Sequence, residues 1–500
     1  MKSYVPLDLP QNLDGFWLLF PPDFRKSMQD CVRQQHAKGN FRSSEDILCD
    51  ESNKLRFWSY YVQKAVDPIT EPKKGSRLKE EFARFRTCSF HLMPSGFSVG
   101  KEYRLSASGD LMRSKHLAES RDRLYDQVAD LIFGADYAIA NLESSIAPGM
   151  PNGRDATESS GSLQIGLAMP EYETLKQHKG RKFDVLQLAN NHVMDNGEEG
   201  LMLNMKILEK DGIDYIGTYT TEKASTQVKT TKMGELTIGW VCHTSSVNNR
   251  PLPADKPWIV DITFFDLVKD PDMLRIEAQI KAARAAGCDL VMLVLHWGAE
   301  WEFYPNPRQL RYAHKLAEVG ADAIIAQHPH VIQPIEIYRP RSDPDKQVPI
   351  LYSLGNLTPF AAPPYAVMSL VANLRISTGK LNGEKRTMVT GLGITPVACV
   401  AEQDDNGSMY AALVPLAHLE KMKLVRATRD YVNSIVKIRR SGARPGLAEA
   451  RSGRTSSPMV RCQAASRCRV EPGRPRQNMP GLLCLDGALA NGRLELLRLR

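Results

Sequence analysis

The sequence predicts an α/β fold, and three observations support this prediction. Short apolar runs alternate with amphipathic, helix-like segments from about residue 101 to residue 400. Most of these runs lead directly into polar side chains, as strands do where an open α/β sheet faces a ligand crevice. Apolar residues make up 42% of the 500 residues, which is ample for a large core.

The apolar runs and the amphipathic segments give the predicted elements in chain order. The predicted strands are Tyr103–Ala107, Tyr137–Ala140, Asp184–Leu188, Leu236–Val241, Leu290–Leu295, Ala323–Ile325 and Ile350–Ser353. The predicted helices are Arg121–Phe133, Gly200–Asp211, Met273–Ala286 and Asn306–Val319. The last helix ends at Gly320, a residue type that is common at helix C-caps.

Composition divides the chain into four parts. Residues 1–100 mix aromatic patches with polar stretches and predict a helical extension or cap of unknown role. Residues 101–400 form the α/β domain, and 401–438 are predicted to be a C-terminal helical segment. Residues 439–500 are rich in Arg, Gly, Pro and Ser, a composition that predicts disorder.

The positive charge of the chain is concentrated at its C-terminal end. The formal net charge is +8, but residues 439–500 alone hold 13 Arg, no Lys and only four acidic residues. The remaining residues are therefore close to neutral. This distribution gives no reason to expect nucleic acid as a partner of the α/β domain.

Membrane spans and cysteine-based sites are also excluded by the sequence. No apolar run approaches the roughly 20 residues that a membrane helix needs, and no signal-peptide pattern precedes the Phe16–Phe20 patch. We therefore expect a cytoplasmic protein. The nine Cys are scattered, odd in number and without a CxxC pair, so neither a disulfide framework nor a Cys-rich zinc site is expected.

Two acids follow the first two predicted strands. Asp110 comes after Gly109, which lets the chain turn sharply, and Glu143 has two oxygens that can bridge two cations. Taken alone, each acid is better explained as a turn or capping residue. Only their position at successive strand ends favours a cation site.

The third predicted strand leads into a turn that holds Asn191, His192 and Asp195. An Asn oxygen is a neutral metal ligand, and a neighbouring His can donate a proton to a bound substrate. A polar loop capped by Asn and Asp explains the same residues equally well.

Three histidines follow two of the later strands. His296 closes a fully apolar run, where burial favours the neutral imidazole that binds metals, although a satisfied core histidine is an equal alternative. His328 and His330 flank Pro329, and side chains two residues apart on an extended chain face the same way. A pair of imidazoles suits zinc, iron, manganese or nickel better than calcium.

At these residues the sequence resembles the CapA family of bacterial capsule or poly-gamma-glutamate synthesis proteins. The resemblance covers about residues 102–400. The matching segments, in the family's order, are Gly109–Met112, Asn141–Glu143, Leu188–His192 with Asp195 and Gly197, His296–Gly298 with Glu300, Gly320–Asp322 through His328–His330, and Tyr352–Asn356. The last of these segments, with its Gly and Asn, is interpreted as a structural turn.

The family looks related to calcineurin-like metallophosphoesterases. That resemblance implies a four-layer αββα sandwich of two mixed sheets with two divalent metal ions. One metal would take Asp110 and His330, the second would take Asn191, His296 and His328, and Glu143 would bridge them. His192, with Asp195, would act as general acid. Met112, which the CapA family shares, stands where the phosphoesterases usually carry a His, so the first metal would be held less tightly or would rely on water. Gln327 stands where the CapA family commonly has a His.

The resemblance implies a metal-dependent hydrolase that acts on a phosphoester or on an amide of a glutamate-type polymer. The alternative is a non-catalytic binding or assembly component that uses the same cleft to hold an anionic polymer. A carbohydrate- or phosphate-binding module is a third possibility.

Overall fold

The computed structural model describes residues 22–38, 54–149, 164–248, 250–266, 268–360, 363–419 and 426–436. The predicted disordered segment 439–500 lies outside the described residues. Within the described ranges the fold is mixed α/β, as the sequence predicts. None of the helices in these ranges is long and apolar enough to cross a membrane.

Strands and helices are numbered in chain order. The strands are β1 Ser89–His91, β2 Ser98–Leu111, β3 Tyr137–Leu142, β4 Ser145–Ile146, β5 Gly166–Leu167, β6 Gln177–His178, β7 Arg181–Lys182, β8 Val185–Gln187, β9 Asp214–Ile216, β10 Lys229–Met233, β11 Leu236–Thr244, β12 Leu290–His296, β13 Ala323–Gln327, β14 Ile335–Tyr338, β15 Val348–Leu351, β16 Asn356–Thr358, β17 Met368–Leu381, β18 Glu384–Gln403 and β19 Met409–Pro415. The α-helices are α1 Pro22–Ala37, α2 Lys54–Val66, α3 Leu78–Ala83, α4 Ala129–Ile132, α5 Met169–Leu175, α6 Gly197–Asp211, α7 Glu222–Ser225, α8 Leu274–Ala285, α9 Pro307–Val319 and α10 Arg426–Ile435.

The larger sheet brings the first polar strand ends together. Its order is β1-β18-β17-β2-β3-β8-β9, with β16 also pairing β2 and β19 also pairing β18. Strands β2, β3, β8 and β9 pair in parallel, whereas β17 runs antiparallel to β2. The carboxyl ends of β2, β3 and β8 therefore meet at one edge, which is where ligands gather in α/β sheets.

The smaller sheet has the order β10-β11-β12-β13-β15-β14 and is parallel from β11 to β15. Helices α8 and α9 make the crossovers between β11, β12 and β13. Every residue of β12 is buried. Met292 and Val294 belong to the core shared with the larger sheet, while Val291, Leu293 and Leu295 belong to a second core that includes residues of α8 and α9. This two-sided burial explains the uninterrupted apolar runs in the sequence.

A hydrogen bond joins the two sheets at their polar ends. The Gln327 side chain donates from Nε2 to the backbone oxygen of Ser108 at 3.0 Å, which links β13 to β2. Within the larger sheet, the backbone nitrogen of Asp110 donates to the oxygen of Gly355, which precedes β16, at 3.0 Å. Gln327 thus connects the ends of β13 and β2, on which predicted ligands lie.

The predicted strands all fall on observed strands, but some boundaries differ. Strand β2 continues to Leu111, so Asp110 lies within the strand rather than after it. The register of β2 against β3 shifts between Ala107 and Asp110. This irregularity leaves the Asp110 side chain at the edge that faces the smaller sheet.

The helix prediction at Arg121–Phe133 is largely wrong, because only Ala129–Ile132 is α-helical. Asp122 has a positive φ of 56°, and its Oδ1 accepts a hydrogen bond from the backbone nitrogen of Lys179 at 2.9 Å. This tertiary contact holds the turn out of the helical region. The other three predicted helices are confirmed as α6, α8 and α9.

The prediction of a helical segment over 401–438 is also only partly right. The segment contains strand β19, which pairs antiparallel with β18, and its helix is restricted to Arg426–Ile435. Residues 411–414 are buried in the main core. Burial against β18 therefore decides the structure of this segment.

Gly109 is required by the close approach of two chain segments. A Cβ at this position would lie 1.9 Å from the oxygen of Gly355, whereas a Cβ at Gly393 would meet nothing closer than 3.9 Å. Gly109→Ala should therefore lower the free energy of unfolding by about 1–3 kcal/mol through overpacking. Gly393→Ala, the matched strand-glycine control, should change it by no more than about 0.5 kcal/mol. Urea denaturation measures both, and equal effects would contradict the close approach.

Candidate metal centre

The six predicted ligands converge from five strand ends. Asp110 lies near the end of β2, and His296 closes β12. Glu143 follows β3, Asn191 follows β8, and His328 and His330 follow β13. All six are buried except His328, which is partly exposed.

The carboxylates of Asp110 and Glu143 are buried without a full set of hydrogen bonds. Both side chains are fully buried, and Oδ2 of Asp110 and Oε1 of Glu143 have no hydrogen-bond partner. Burial, together with the nearby Asp110 carboxylate, raises the pKa of Glu143 well above its usual value. An unpartnered buried carboxylate oxygen is costly unless a cation or proton satisfies it. These residues therefore fit a cation.

Asn141, which the sequence analysis did not single out as a site residue, holds the carboxylates in place. Its Nδ2 donates to Oδ1 of Asp110 at 2.8 Å and lies 3.4 Å from Oε2 of Glu143. The Nδ2 of Asn190 donates to Oδ1 of Asn141 at 3.1 Å, which fixes the orientation of the Asn141 amide. Its position two residues before Glu143, near the end of β3, was the available signal.

His296 and His328 lie side by side in the cluster. Nε2 of His296 lies 2.8 Å from Oδ1 of Asn191, 3.1 Å from Nδ1 of His328 and 3.4 Å from Oε1 of Glu143. Burial and the neighbouring histidines lower the pKa of both imidazoles well below the usual value. Both rings are therefore neutral at pH 7, which is the form that binds metals.

The pKa of His330 is raised, whereas those of His296 and His328 are lowered. Its Nδ1 lies 2.8 Å from Oδ1 of Asn356 and 3.4 Å from Oδ2 of Asp110, and its Nε2 lies 3.6 Å from Oε1 of Glu143. Burial opposes the charged form, but the interactions with Asp110 and Glu300 outweigh it and raise the pKa of His330. Asn356, interpreted from the sequence as part of a structural turn, thus also orients a ring of the cluster.

The backbone of the His-Pro-His segment differs from the expected extended chain. His328 and His330 have positive φ angles of 102° and 55°, a region that non-glycine residues rarely adopt. The expectation of an extended strand with alternating side chains is therefore wrong here. The two rings still lie together, with centroids 6.0 Å apart. Such strained backbone is typical of functional sites.

Two groups of possible ligand atoms share Glu143. Atoms of Glu143, His328 and His330 lie within 4.8 Å of one another, and so do atoms of Asp110, Glu143 and His296. The expected pairs are also neighbours, since Nδ1 of His330 lies 3.4 Å from Oδ2 of Asp110 and Nε2 of His296 lies 3.1 Å from Nδ1 of His328. The division of these residues between two metals stays a prediction.

His192 and Asp195 lie beside this cluster. Nδ1 of His192 is 2.8 Å from Oδ2 of Asp195, which also accepts a hydrogen bond from the backbone nitrogen of Ile165 at 2.7 Å. The second Asp195 oxygen lies 3.3 Å from Nε of Arg250. His192 is close enough for its charge to lower the pKa of His296 and His328. Asp195 thus fixes the His192 ring next to the candidate metal centre.

Comparison with known proteins identifies the family. The family model described as "Bacterial capsule synthesis protein PGA_cap" matches residues 104–359, which is just over half of the chain and includes the whole cluster. The chain belongs to this family of bacterial capsule synthesis proteins. The resemblance to CapA proteins seen in the motifs is thereby confirmed.

Three relatives illustrate the range of the family. The chain is 27% identical to the capsule biosynthesis protein CapA of Bacillus anthracis and 30% identical to the PGA biosynthesis protein CapA of Bacillus subtilis, each over 50% of this chain. These matches span 57% and 62% of the two relatives. A Mycobacterium tuberculosis protein named "Probable polyglutamine synthesis accessory protein" is 29% identical over 38% of this chain and 47% of its own length.

One similar solved structure is that of a hypothetical protein from Thermus thermophilus. It has 16% sequence identity and covers 59% of this chain and 98% of its own. Its TM-score of 0.32 is too low to support any conclusion about the fold.

Because the pKa of Glu143 is raised, the stability of the metal-free protein should depend on pH. Between about pH 4.3, the usual pKa of Glu, and the raised pKa, the folded chain binds more protons than the unfolded chain. The free energy of unfolding therefore falls as pH rises through this window, by about 1.4 kcal/mol per unit of pKa shift. Glu143→Gln should remove that loss, so that in chelator the variant is more stable than the wild type at pH 7.

Urea denaturation at several pH values in chelator measures this difference. The advantage of Glu143→Gln should shrink as the pH falls toward about 4.3. A difference between wild type and variant that is the same at every pH would contradict the raised pKa.

Proposed function

We propose that this chain is a metal-dependent hydrolase with a dinuclear centre. The observation that carries the proposal is the position of Glu143, which belongs to both groups of possible ligand residues and whose buried Oε1 has no hydrogen-bond partner. Asp110, Asn191, His296, His328 and His330 complete the proposed ligand set. Four-layer packing of the metallophosphoesterase kind is part of this proposal, supported by the two-sided burial of β12.

The proposed metals follow from the donor atoms. Carboxylate oxygens, an amide oxygen and three imidazoles favour manganese, zinc, iron or nickel over calcium. Met112 is buried, and its backbone nitrogen lies 3.0 Å from Oγ1 of Thr358. Because a thioether is a poor ligand for a hard dication, the site at Asp110 is the weaker of the two.

The residues of the chain have separate roles in the proposed reaction. Two cations in the centre would polarise a phosphoryl or acyl group and activate a water molecule. His192 would donate a proton to the leaving group. Asp195 holds the His192 ring through Nδ1 at 2.8 Å. His192 would therefore act as a catalytic residue rather than as a ligand.

The proposed substrate is a phosphoester or an amide of a glutamate-type polymer. The names of the relatives support a link to such a polymer, since they refer to PGA biosynthesis and to polyglutamine synthesis. An anionic substrate also suits a cationic centre, because fixed positive charge both attracts and orients it.

A second candidate is a non-catalytic component that holds an anionic polymer during its assembly. The word "accessory" in the name of the mycobacterial relative favours it. In that case the same residues bind metal and polymer, but His192 transfers no proton.

The His192→Ala variant distinguishes the two candidates. Wild type and variant, both loaded with Mn²⁺, are compared on a panel of phosphoesters and glutamyl amides, and their metal contents are measured. Loss of a general acid should reduce turnover by about 100-fold or more while the metal content stays unchanged. Equal loss of turnover and metal would make His192 a ligand or structural residue. Absence of turnover by the wild type on the whole panel would favour the assembly component.

A further inference from the structure

Helix α2 contacts the candidate centre from outside the segment that matches the family. It spans Lys54–Val66, whereas the family match begins at residue 104. The hydroxyl of Tyr61 donates to Oε2 of Glu300 at 2.7 Å, and the hydroxyl of Tyr60 donates to Oε1 of Glu302 at 2.7 Å. Neighbouring residues of one helix thus hold two acids of one loop.

The loop that carries Glu300 is joined to the metal centre. The backbone nitrogen of Trp301 donates to the oxygen of Pro329 at 2.9 Å, and the Trp301 ring lies 5.2 Å from the His330 ring. Oε2 of Glu300 lies 4.0 Å from Nε2 of His330. That imidazole nitrogen is in turn 3.6 Å from the unpartnered Oε1 of Glu143. Glu300 is therefore a third acid at the edge of the centre.

Other contacts anchor helix α2 and do not involve Glu300. Nζ of Lys64 lies 3.3 Å from Oε1 of Glu302, and both side chains are buried. The backbone of Ile69 accepts a hydrogen bond from Phe303 at 2.9 Å and donates one to Trp301 at 3.0 Å. These contacts position the helix and the segment after it on the loop, and they do not depend on the hydrogen bond between Tyr61 and Glu300.

We propose that Glu300 is a further carboxylate of the metal centre and that Tyr61 is the residue that positions it. This inference rests on the proposed metal centre. Oε2 of Glu300 is both the atom that accepts from Tyr61 and the atom that lies near His330. A carboxylate oxygen has two lone pairs, so it can accept the tyrosine hydrogen bond and still face a cation or a metal-bound water.

The Tyr61 hydrogen bond reduces the conformational freedom of Glu300 before a cation binds. An unrestrained Glu side chain loses rotamer freedom when it is fixed, and this loss opposes binding. A preformed orientation removes part of that cost. Helix α2 therefore contributes to the cation affinity of a site whose ligands all come from the family segment.

The test is titration of Mn²⁺ into the full-length, chelator-stripped protein by calorimetry. Glu300→Ala should weaken Mn²⁺ binding about 10-fold or more, since it removes a carboxylate from the site. Tyr61→Phe should weaken it about 3- to 10-fold, the effect of losing one hydrogen bond. The double variant should bind like Glu300→Ala alone, because Tyr61 then has no side-chain oxygen at position 300 to orient.

Two tyrosine variants serve as controls. Tyr338→Phe removes an equivalent hydrogen bond, from the hydroxyl to Oε1 of Glu318 at 2.7 Å, and should leave Mn²⁺ binding unchanged. Tyr60→Phe removes the neighbouring contact of the same helix with Glu302 and should lower thermal stability without weakening Mn²⁺ binding.

The outcomes separate this inference from the proposed function. If the wild type binds no Mn²⁺, both the metal centre and the inference are overturned. If the wild type binds Mn²⁺ but Tyr61→Phe binds it equally well, only the inference is overturned. Additive effects in the double variant, or equal weakening by Tyr60→Phe and Tyr61→Phe, would also overturn it, because either would show that Tyr61 does not act through Glu300.

Discussion

Two acidic side chains, Asp110 and Glu143, are buried together where the strand ends of the two sheets meet, and one oxygen of each has no hydrogen-bond partner. The Asn141 amide lies against both carboxylates but satisfies only part of their hydrogen-bonding capacity. Burying such charges costs free energy that the core does not recover by packing. The arrangement is explained if the site exists to hold positive charge, supplied by protons or by metal ions.

Close contacts of the chain lie beside this pair. Gln327 links β13 to β2, and within the larger sheet the backbone of Asp110 donates to Gly355, a contact that needs glycine at position 109. In the same region His296 and His330, which come from the smaller sheet, lie against Glu143.

The strands of the smaller sheet that are buried on both faces could be predicted, because two-sided burial leaves a clear pattern. Strand β12 is apolar along its whole length and ends on His296, so both the strand and its polar end were evident in the sequence. The segment at Asp122 could not be predicted in the same way, since its contact with Lys179 depends on tertiary structure. Strands β17, β18 and β19 were not predicted, because they pair antiparallel in succession and do not show the strand–helix alternation on which the prediction depended.

The candidate site could be predicted only in part, because some of its contacts depend on tertiary structure. Strand-end positions pointed to the six proposed ligands, and the structure brings all of them together. The left-handed backbone at His328 and His330 contradicts the assumption of an extended chain. Tyr61 lies 239 residues before Glu300, and nothing in the spacing of the motifs connects the two.

The central claim is that the buried carboxylates and histidines hold metal ions, and elemental analysis of the purified full-length protein tests it most directly. We expect one or two transition-metal ions per chain, lost in His296→Ala and in His328→Ala. They should be retained in His314→Ala, a half-buried histidine whose Nε2 lies 2.9 Å from Oε1 of Glu336 outside the cluster. A wild-type protein that is free of metal, with a melting temperature unchanged by chelator, would contradict the account.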